Sequence, residues 1–329
     1  MILQILKRCV LVSVSILIIS SCEKKPQSVA EWPHSAIGSL DAAISPDGRL
    51  ALVSSVNFGA SLWNIENNER LFQWTHGEDD AGAGITAVNI SPDGTRAVTA
   101  QQDTYVIWNT QTGFAYGYWK TPADITAIAL SDKGRYVLIG LTTGLAIFID
   151  MNTGRRIEFT GHRNEKVASV DLSANGLWAF TGGNDYRAVL WNTRTGKPQQ
   201  LFEHTTRVTK LKLDPSGKQG FTSGTLGNAT IWNLQTGAPI SQLKLEKREY
   251  VISAAAFSHS GQQLVTGAPG RDISLWNSQT GDRIKQWRVR TRDAGKPLGA
   301  IVYAVSFSVD DQFVYSESSA GFAEKWSVN

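Results

Sequence analysis

Five histidines, two cysteines and a set of isolated aspartates are the residues here with the types to do chemistry. Their spacing does not suit it. No two histidines stand at metal-ligand intervals, and a protein metal site wants three or four such donors. Asp47 and Asp93 each stand alone between Pro and Gly, whereas calcium takes roughly six to eight oxygens. The serines have no base beside them in sequence. A nucleophile, base and orienting group can still converge from distant segments, so only a short motif is excluded. Gly182-Gly183 lies between two strand-like runs, not at the strand-to-helix junction that cradles phosphate. The expectation is a protein without catalytic residues, metal or cofactor.

Both cysteines lie near the N-terminus. Lys7 and Arg8 precede an apolar run, Cys9 to Ile19, broken only by Ser13 and Ser15. That run is about half the roughly 20 residues a membrane-spanning helix needs. Ile19-Ser20-Ser21-Cys22 follows. An aliphatic residue, two small residues and a Cys after an apolar core resemble the lipobox of bacterial lipoproteins; an ordinary signal peptide or an uncleaved anchor is the other reading. The lipobox resemblance makes residues 1–21 a signal peptide. It makes Cys22 the new N-terminus, carrying palmitate-type lipid, and residues 22–31 a polar tether. Cleavage removes Cys9 and lipid blocks Cys22, so the folded part has no thiol, which suits an oxidising compartment. Residue 23 is Glu, not the Asp that often marks inner-membrane retention, which favours the outer membrane. The expected location is the bacterial envelope, facing the periplasm. Loss of Lys7 and Arg8 takes the net charge from +3 to +1, which offers nucleic acid no clustered basic surface.

The elements that must hold everything else repeat. Trp63, Trp108, Ile149, Trp191, Trp232, Trp276 and Trp326 recur at intervals of 41 to 50 residues. Several are followed by one phrase, as in Asn192-Thr-Arg-Thr-Gly196. Ile149 is placed by Asp150-Met-Asn-Thr-Gly154, which follows it in register. A second marker runs in phase, from Ser45-Pro-Asp-Gly48 to Ser308-Val-Asp-Asp311. Ser-Pro-Asp-Gly suits a type I turn: Ser at the first position, Pro presetting φ at the second, Gly at the fourth. Between the markers lie short runs such as Val167–Leu172, Leu177–Thr181, Ala188–Trp191 and Pro198–Phe202. Each reads as a strand, and many are apolar on both faces, which suits sheets packed between sheets. Eleven Trp and thirty Gly agree with strands and tight turns.

Four short antiparallel strands per unit, seven times, resemble the WD-repeat β-propeller family. The resemblance covers residues 32–329 and implies an all-β fold: seven four-stranded antiparallel blades in a ring. Here the Trp-Asp pair is mostly Trp-Asn. The family also implies a structural hydrogen-bond quartet, which blade four carries as His162, Thr181, Asp185 and Trp191. Blade two has Thr99, Asp103 and Trp108, with His76 read as displaced by an insertion. Blade five has His204, Thr222 and Trp232, with Leu226 replacing the Asp. Blade three has Ile139, Thr143 and Ile149, so it is expected to rely on packing and to have the weakest internal network. The third strand of blade seven ends near Trp326. Val29–His34 resembles the fourth-strand stretch Leu71–His76, so residues near 28–34 are expected to supply blade seven's outer strand and close the ring.

The resemblance implies binding more than catalysis, although fold does not fix function. The leading expectation is a monomeric propeller within a complex, a non-catalytic scaffold anchored by Cys22 and docking a protein partner. Its predicted contact residues lie in two expanded loops, where binding usually resides. One carries Glu78, Asp79 and Asp80; the other carries Arg288, Arg290, Arg292 and Lys296. The alternative is a ligand-binding or hydrolytic propeller acting through its central channel on a cell-envelope substrate. Three or more titratable groups converging in the channel would favour it.

Overall fold

The computed structural model describes residues 27–329, apart from 56, 78–83, 247–250 and 293–298. Cys22, Glu78, Asp79, Asp80 and Lys296 lie outside the described residues. The opening strand is β1 (Ala30–Pro33). Blade one is β2 (Ser39–Ile44), β3 (Leu50–Ser55), β4 (Gly59–Asn64) and β5 (Glu69–Trp74). Blade two is β6 (Ala87–Ile90), β7 (Arg96–Gln101), β8 (Thr104–Asn109) and β9 (Ala115–Lys120). Blade three is β10 (Ile125–Leu130), β11 (Tyr136–Leu141), β12 (Ala146–Asp150) and β13 (Arg156–Phe159). Blade four is β14 (Val167–Leu172), β15 (Trp178–Gly183), β16 (Arg187–Asn192) and β17 (Lys197–Glu203). Blade five is β18 (Val208–Leu213), β19 (Gln219–Gly224), β20 (Ala229–Asn233) and β21 (Pro239–Gln242). Blade six is β22 (Ala254–Phe257), β23 (Gln263–Gly267), β24 (Asp272–Asn277) and β25 (Arg283–Arg288). Blade seven is β26 (Val302–Phe307), β27 (Phe313–Ser318) and β28 (Phe322–Ser327), completed by β1 in the order β1-β28-β27-β26.

Ring closure is antiparallel, with Ala30 opposite Lys325 and Trp32 opposite Ala323. The outer strand of blade seven thus comes from the opposite end of the chain. The fold is a seven-bladed propeller of four-stranded antiparallel blades. Among the described residues no helix is long and apolar enough to cross a membrane.

The two recurring phrases are turns with a visible cause. In the first, Ser45 Oγ donates to Asp47 Oδ1 at 2.5 Å and accepts Leu50 N–H at 2.9 Å. Gly48 takes φ +71°, a left-handed conformation that favours glycine. In the second, Asn192 Oδ1 accepts the N–H groups of Arg194 and Thr195 at 3.0 and 3.2 Å. The Gly196 N–H reaches Asn192 O at 2.8 Å. Asn caps the turn as Asp would, which is why Trp-Asn serves here.

Apolar burial lies between blades, not within a central core. Seven clusters each join residues of two neighbouring blades. Strands covered on both faces therefore need apolar residues at nearly every position, as Tyr136–Leu141 and Ala146–Asp150 have. Side chains of the first strands also lace the ring. Asp41 Oδ2 accepts Val88 N–H at 2.9 Å, Asn89 Oδ1 accepts Leu130 N–H at 3.0 Å, and Ser253 Oγ donates to Val302 O at 2.6 Å. Each bond runs from one blade to the next.

Candidate functional site

Blade four brings its four residues together. His162 comes three residues after the end of β13, Thr181 sits on β15, Asp185 in the next turn and Trp191 on β16. His162 Nδ1 lies 2.9 Å from Asp185 Oδ1, and Nε2 lies 2.8 Å from Thr181 Oγ1. Trp191 Nε1 donates to the same oxygen at 2.9 Å. An Asp–His–hydroxyl line has the geometry of an activated nucleophile. Here it is sealed. His162 and Thr181 are fully buried and the Thr181 oxygen already takes the indole N–H. No substrate atom reaches it, so the arrangement is a strut.

The same Trp-to-hydroxyl bond recurs at 2.7 to 2.9 Å in Trp108–Thr99, Trp232–Thr222, Trp276–Thr266 and Trp326–Ser316. Blade one varies it, since Trp63 Nε1 reaches Ser61 Oγ on its own strand at 2.8 Å. The displacement expected for His76 is corrected: its Nε2 lies 2.8 Å from Thr99 Oγ1. His76 comes two residues after the end of β5, and the inserted residues follow it in the chain, so they leave its seat unchanged. In blade five, where Leu226 stands for the Asp, burial pushes the His204 imidazole below its ordinary range. Blade three has Ile139, fully buried, in the hydroxyl slot, and Tyr136 stacks on Phe148 with ring centroids 5.2 Å apart.

The basic residues of the loop after β25 are largely occupied within the chain. The Arg290 guanidinium pairs with Glu31 and lies 4.3 Å over the Phe322 ring. Its backbone N–H meets Glu324 Oε1 at 3.2 Å. Arg292 Nη2 donates to Ser35 O at 2.7 Å and Ala320 O at 3.1 Å. Both arginines therefore fasten β1 and its continuation onto blade seven. Arg288, expected in the loop, is instead the last residue of β25, paired opposite Asp272 and 4.0 Å from its carboxylate, with half its side chain exposed.

Two constellations were not legible from motifs. The first is on the ring axis. The seven first strands enclose a cavity of about 430 Å³ whose wall includes Asp41, Asp171, Lys210, Lys212 and Tyr303. Lys212 Nζ meets Asp171 Oδ1 at 2.8 Å, and Leu213 N–H meets Oδ2 at 2.7 Å. Burial pushes Asp41 up to about 6 against the pull of Val88 N–H and Lys210. Burial also holds Lys210 below the ordinary lysine range. Aligning the seven first strands reveals the signal: these charges interrupt otherwise small or apolar columns. The second is a groove of about 720 Å³ where blade two meets blade three. Arg96, Lys133 and Arg135 line it with Tyr116 and Tyr136. Arg96 lies 4.3 Å over the Tyr116 ring, and Arg135 lies 4.9 Å over the Tyr136 ring. Phe114, Tyr116 and Tyr118, at alternating positions of this edge, are 76%, 53% and 55% exposed. Among the described residues no group of three or more His, Cys, Asp or Glu is arranged to hold a metal.

Comparison with known proteins agrees with this architecture. Residues 155–192, from the end of blade three through β16, match the family "WD domain, G-beta repeat". A stretch of 158 residues, 47% of this chain, is 26% identical to Autophagy-related protein 16 of Arabidopsis thaliana, of which it covers 30%. A stretch of 172 residues, 52% of the chain, is 24% identical to Protein groucho of Drosophila melanogaster, of which it covers 23%. The matched region thus spans less than a third of either relative. Seven four-stranded blades, turns of one recurring design and these matches together support a WD-repeat propeller.

Proposed function

We propose that this protein is a non-catalytic scaffold that docks a protein partner while tethered to the bacterial envelope by lipid on Cys22. The observation that carries docking is the edge of blade two. Three exposed aromatic rings, Phe114, Tyr116 and Tyr118, stand beside a groove carrying Arg96, Lys133 and Arg135. Aromatic residues and Arg are enriched where proteins bind one another, and such anchors carry most of the binding energy. The positive groove suits an acidic segment of the partner. The anchor is supported by the lipobox-like Ile19–Cys22, and Glu23 favours the outer membrane facing the periplasm. Glu78, Asp79 and Asp80 are proposed as a further contact, and among the described residues Arg288, half exposed, is the cation of the 288–296 stretch most available to a partner.

Cross-linking pull-down from membranes tests the docking. Phe114→Ala with Tyr118→Ser should lose the partner, and charge reversal at 78–80 or at Arg288 should weaken it. An unchanged partner set in all forms would remove these assignments. Palmitate incorporation that persists in Cys22→Ser would remove the anchor. A second reading, ligand binding through the central channel, is favoured by the titratable groups on its wall, Asp41, Asp171, Lys210, Lys212, Asp214 and Tyr303.

A further inference from the structure

The axial cavity has mostly small walls, with Ala87, Ala127, Ala168 and Ala254 among them. Among the described residues charge enters from Asp41 on β2, Asp171 on β14, Lys210 and Lys212 on β18, and Asp214 in the turn after β18, whose carboxylate already accepts the Ser216 hydroxyl and the Gln219 N–H. One pair is closed, because Lys212 Nζ meets Asp171 at 2.8 Å. The other pair is open. Asp41 belongs to blade one and Lys210 to blade five, which are not neighbours in a ring of seven. Both line the same cavity and each acts electrostatically on the other. Yet among the described residues no carboxylate lies within ion-pair distance of Lys210 Nζ. An ammonium and a carboxylate held apart inside a protein, each partly stripped of water, are unfavourable until something joins them. A single anion would satisfy one wall and a single cation the other. A molecule with both charges satisfies both.

We propose that the axial cavity binds a small zwitterion, a free amino acid or dipeptide, with its carboxylate on Lys210 and its ammonium on Asp41. The proposal rests on the ligand-binding reading of the channel and is independent of the docking edge on blade two. The volume of about 430 Å³ lies toward the lower end of the roughly 300–1,000 Å³ of small-molecule pockets. Tyr303, whose hydroxyl burial pushes above the ordinary tyrosine range, stays protonated and can donate to the ligand. Thr209 adds a second hydroxyl, and the alanines leave room for a side chain. With Asp41 titrating at about 6, its carboxylate is charged at neutral pH. The groups that bear on it are Lys210, Lys212, Asp171 and Tyr303, from β18, β14 and β26.

The experiment is calorimetric titration of the whole mature chain. The probes are glycine, L-alanine, L-glutamate and glycylglycine, each against its N-acetyl and its amide form. At least one zwitterion should bind at pH 7.5, and its acetylated and amidated forms should bind about tenfold more weakly or less. Lys210→Met and Asp41→Asn should each weaken binding about tenfold or more, and Lys210→Arg should retain it. Lowering the pH to 5 should weaken binding as Asp41 takes a proton, whereas a plain anion site would not weaken. Acetylated forms that bind as well as their parents would overturn the zwitterion while leaving the channel as an anion site. Silence from every probe would overturn both. The comparison of probes on the wild-type chain decides the matter even if a variant fails to fold.

Discussion

The seam between blades three and four and the seam between blades seven and one close the same kind of gap with opposite materials. The first buries Phe148, Phe159, Leu138, Leu172 and Trp191, with Phe159 stacked on Trp191 at 4.6 Å. Its polar side chains His162, Thr181, Asp185 and Trp191 bond one another in the blade-four quartet. The second has a small apolar cluster of Ala42, Ala51, Val53, Ile65 and Ala304. Polar bonds supplement it. Ser306 Oγ donates to Ser45 O at 2.9 Å, and Ser39 Oγ donates to Ser318 O at 3.0 Å. His34 stacks on Trp63 at 4.4 Å and lies 2.5 Å from the fully buried Glu317. Blades three and four are consecutive in the chain, so hydrophobic burial of about 1.5–3 kcal/mol per large side chain suffices to pack them. Blades seven and one join residues almost the whole chain apart. Nothing local sets their register, and apolar contact is non-directional. Directional bonds select one alignment.

The comparison breaks most severely at the closing strand. Removing residues 22–36 strips β28 of its partner, takes away His34, and leaves Arg292 without Ser35. Melting temperature should fall by more than about 10 °C, because several buried groups lose partners at about 1–3 kcal/mol each. Removing residues 1–26 alone should leave it unchanged. Thermal unfolding of both soluble forms is the measurement; equal melting would show that the ring closes without β1. Next is Thr181→Val, which orphans the Trp191 indole N–H and the His162 ring nitrogen in a sealed site. The expected cost is about 2–4 kcal/mol. Hydrogen exchange should localise it to blade four and, in the wild type, show blade-three strands less protected than blade-four strands. Greater protection in blade three would mean that apolar packing there outweighs the missing polar bonds.

Much of this was readable from spacing. Turn residues and Trp are local requirements repeated in each blade, so seven copies announced the ring and its closing strand. His162, Thr181, Asp185 and Trp191 were readable because the same slots recur. His76 was misplaced because counting residues between markers cannot tell whether an insertion falls before or after a seat. The channel was missed because Asp41, Asp171, Lys210 and Lys212 come from three blades and meet only when the ring closes. The arginines were readable as conspicuous, but Arg290 and Arg292 turn inward onto Glu31, Ser35 and Ala320, which no local pattern records. Arg292→Ala sharpens this point. Two carbonyls lose a charged donor, so stability should fall by about 1–3 kcal/mol, with partner capture retained. Loss of capture at unchanged stability would return Arg292 to the docking surface.

A pH-dependent effect concerns Glu324 on β28. It is 1% exposed, and burial pushes its carboxyl up to about 8, with nearby Glu31 and Glu317 adding to the rise. In the unfolded chain the same group titrates near 4.5. The folded state therefore holds a proton that the unfolded state releases. The contribution to stability is full below about 4.5 and is lost as pH rises through about 8. Glu324→Gln keeps the shape and an acceptor for the Arg290 N–H but cannot ionise. The variant should melt close to wild type at pH 5 and above it at pH 8.5, and the gap should open across that interval. A gap of constant size would mean that Glu324 stays ionised in the fold, with Arg290 outweighing burial. The contact between the Arg290 N–H and Glu324 would then be charge-assisted, where burial makes it a bond to a protonated carboxyl.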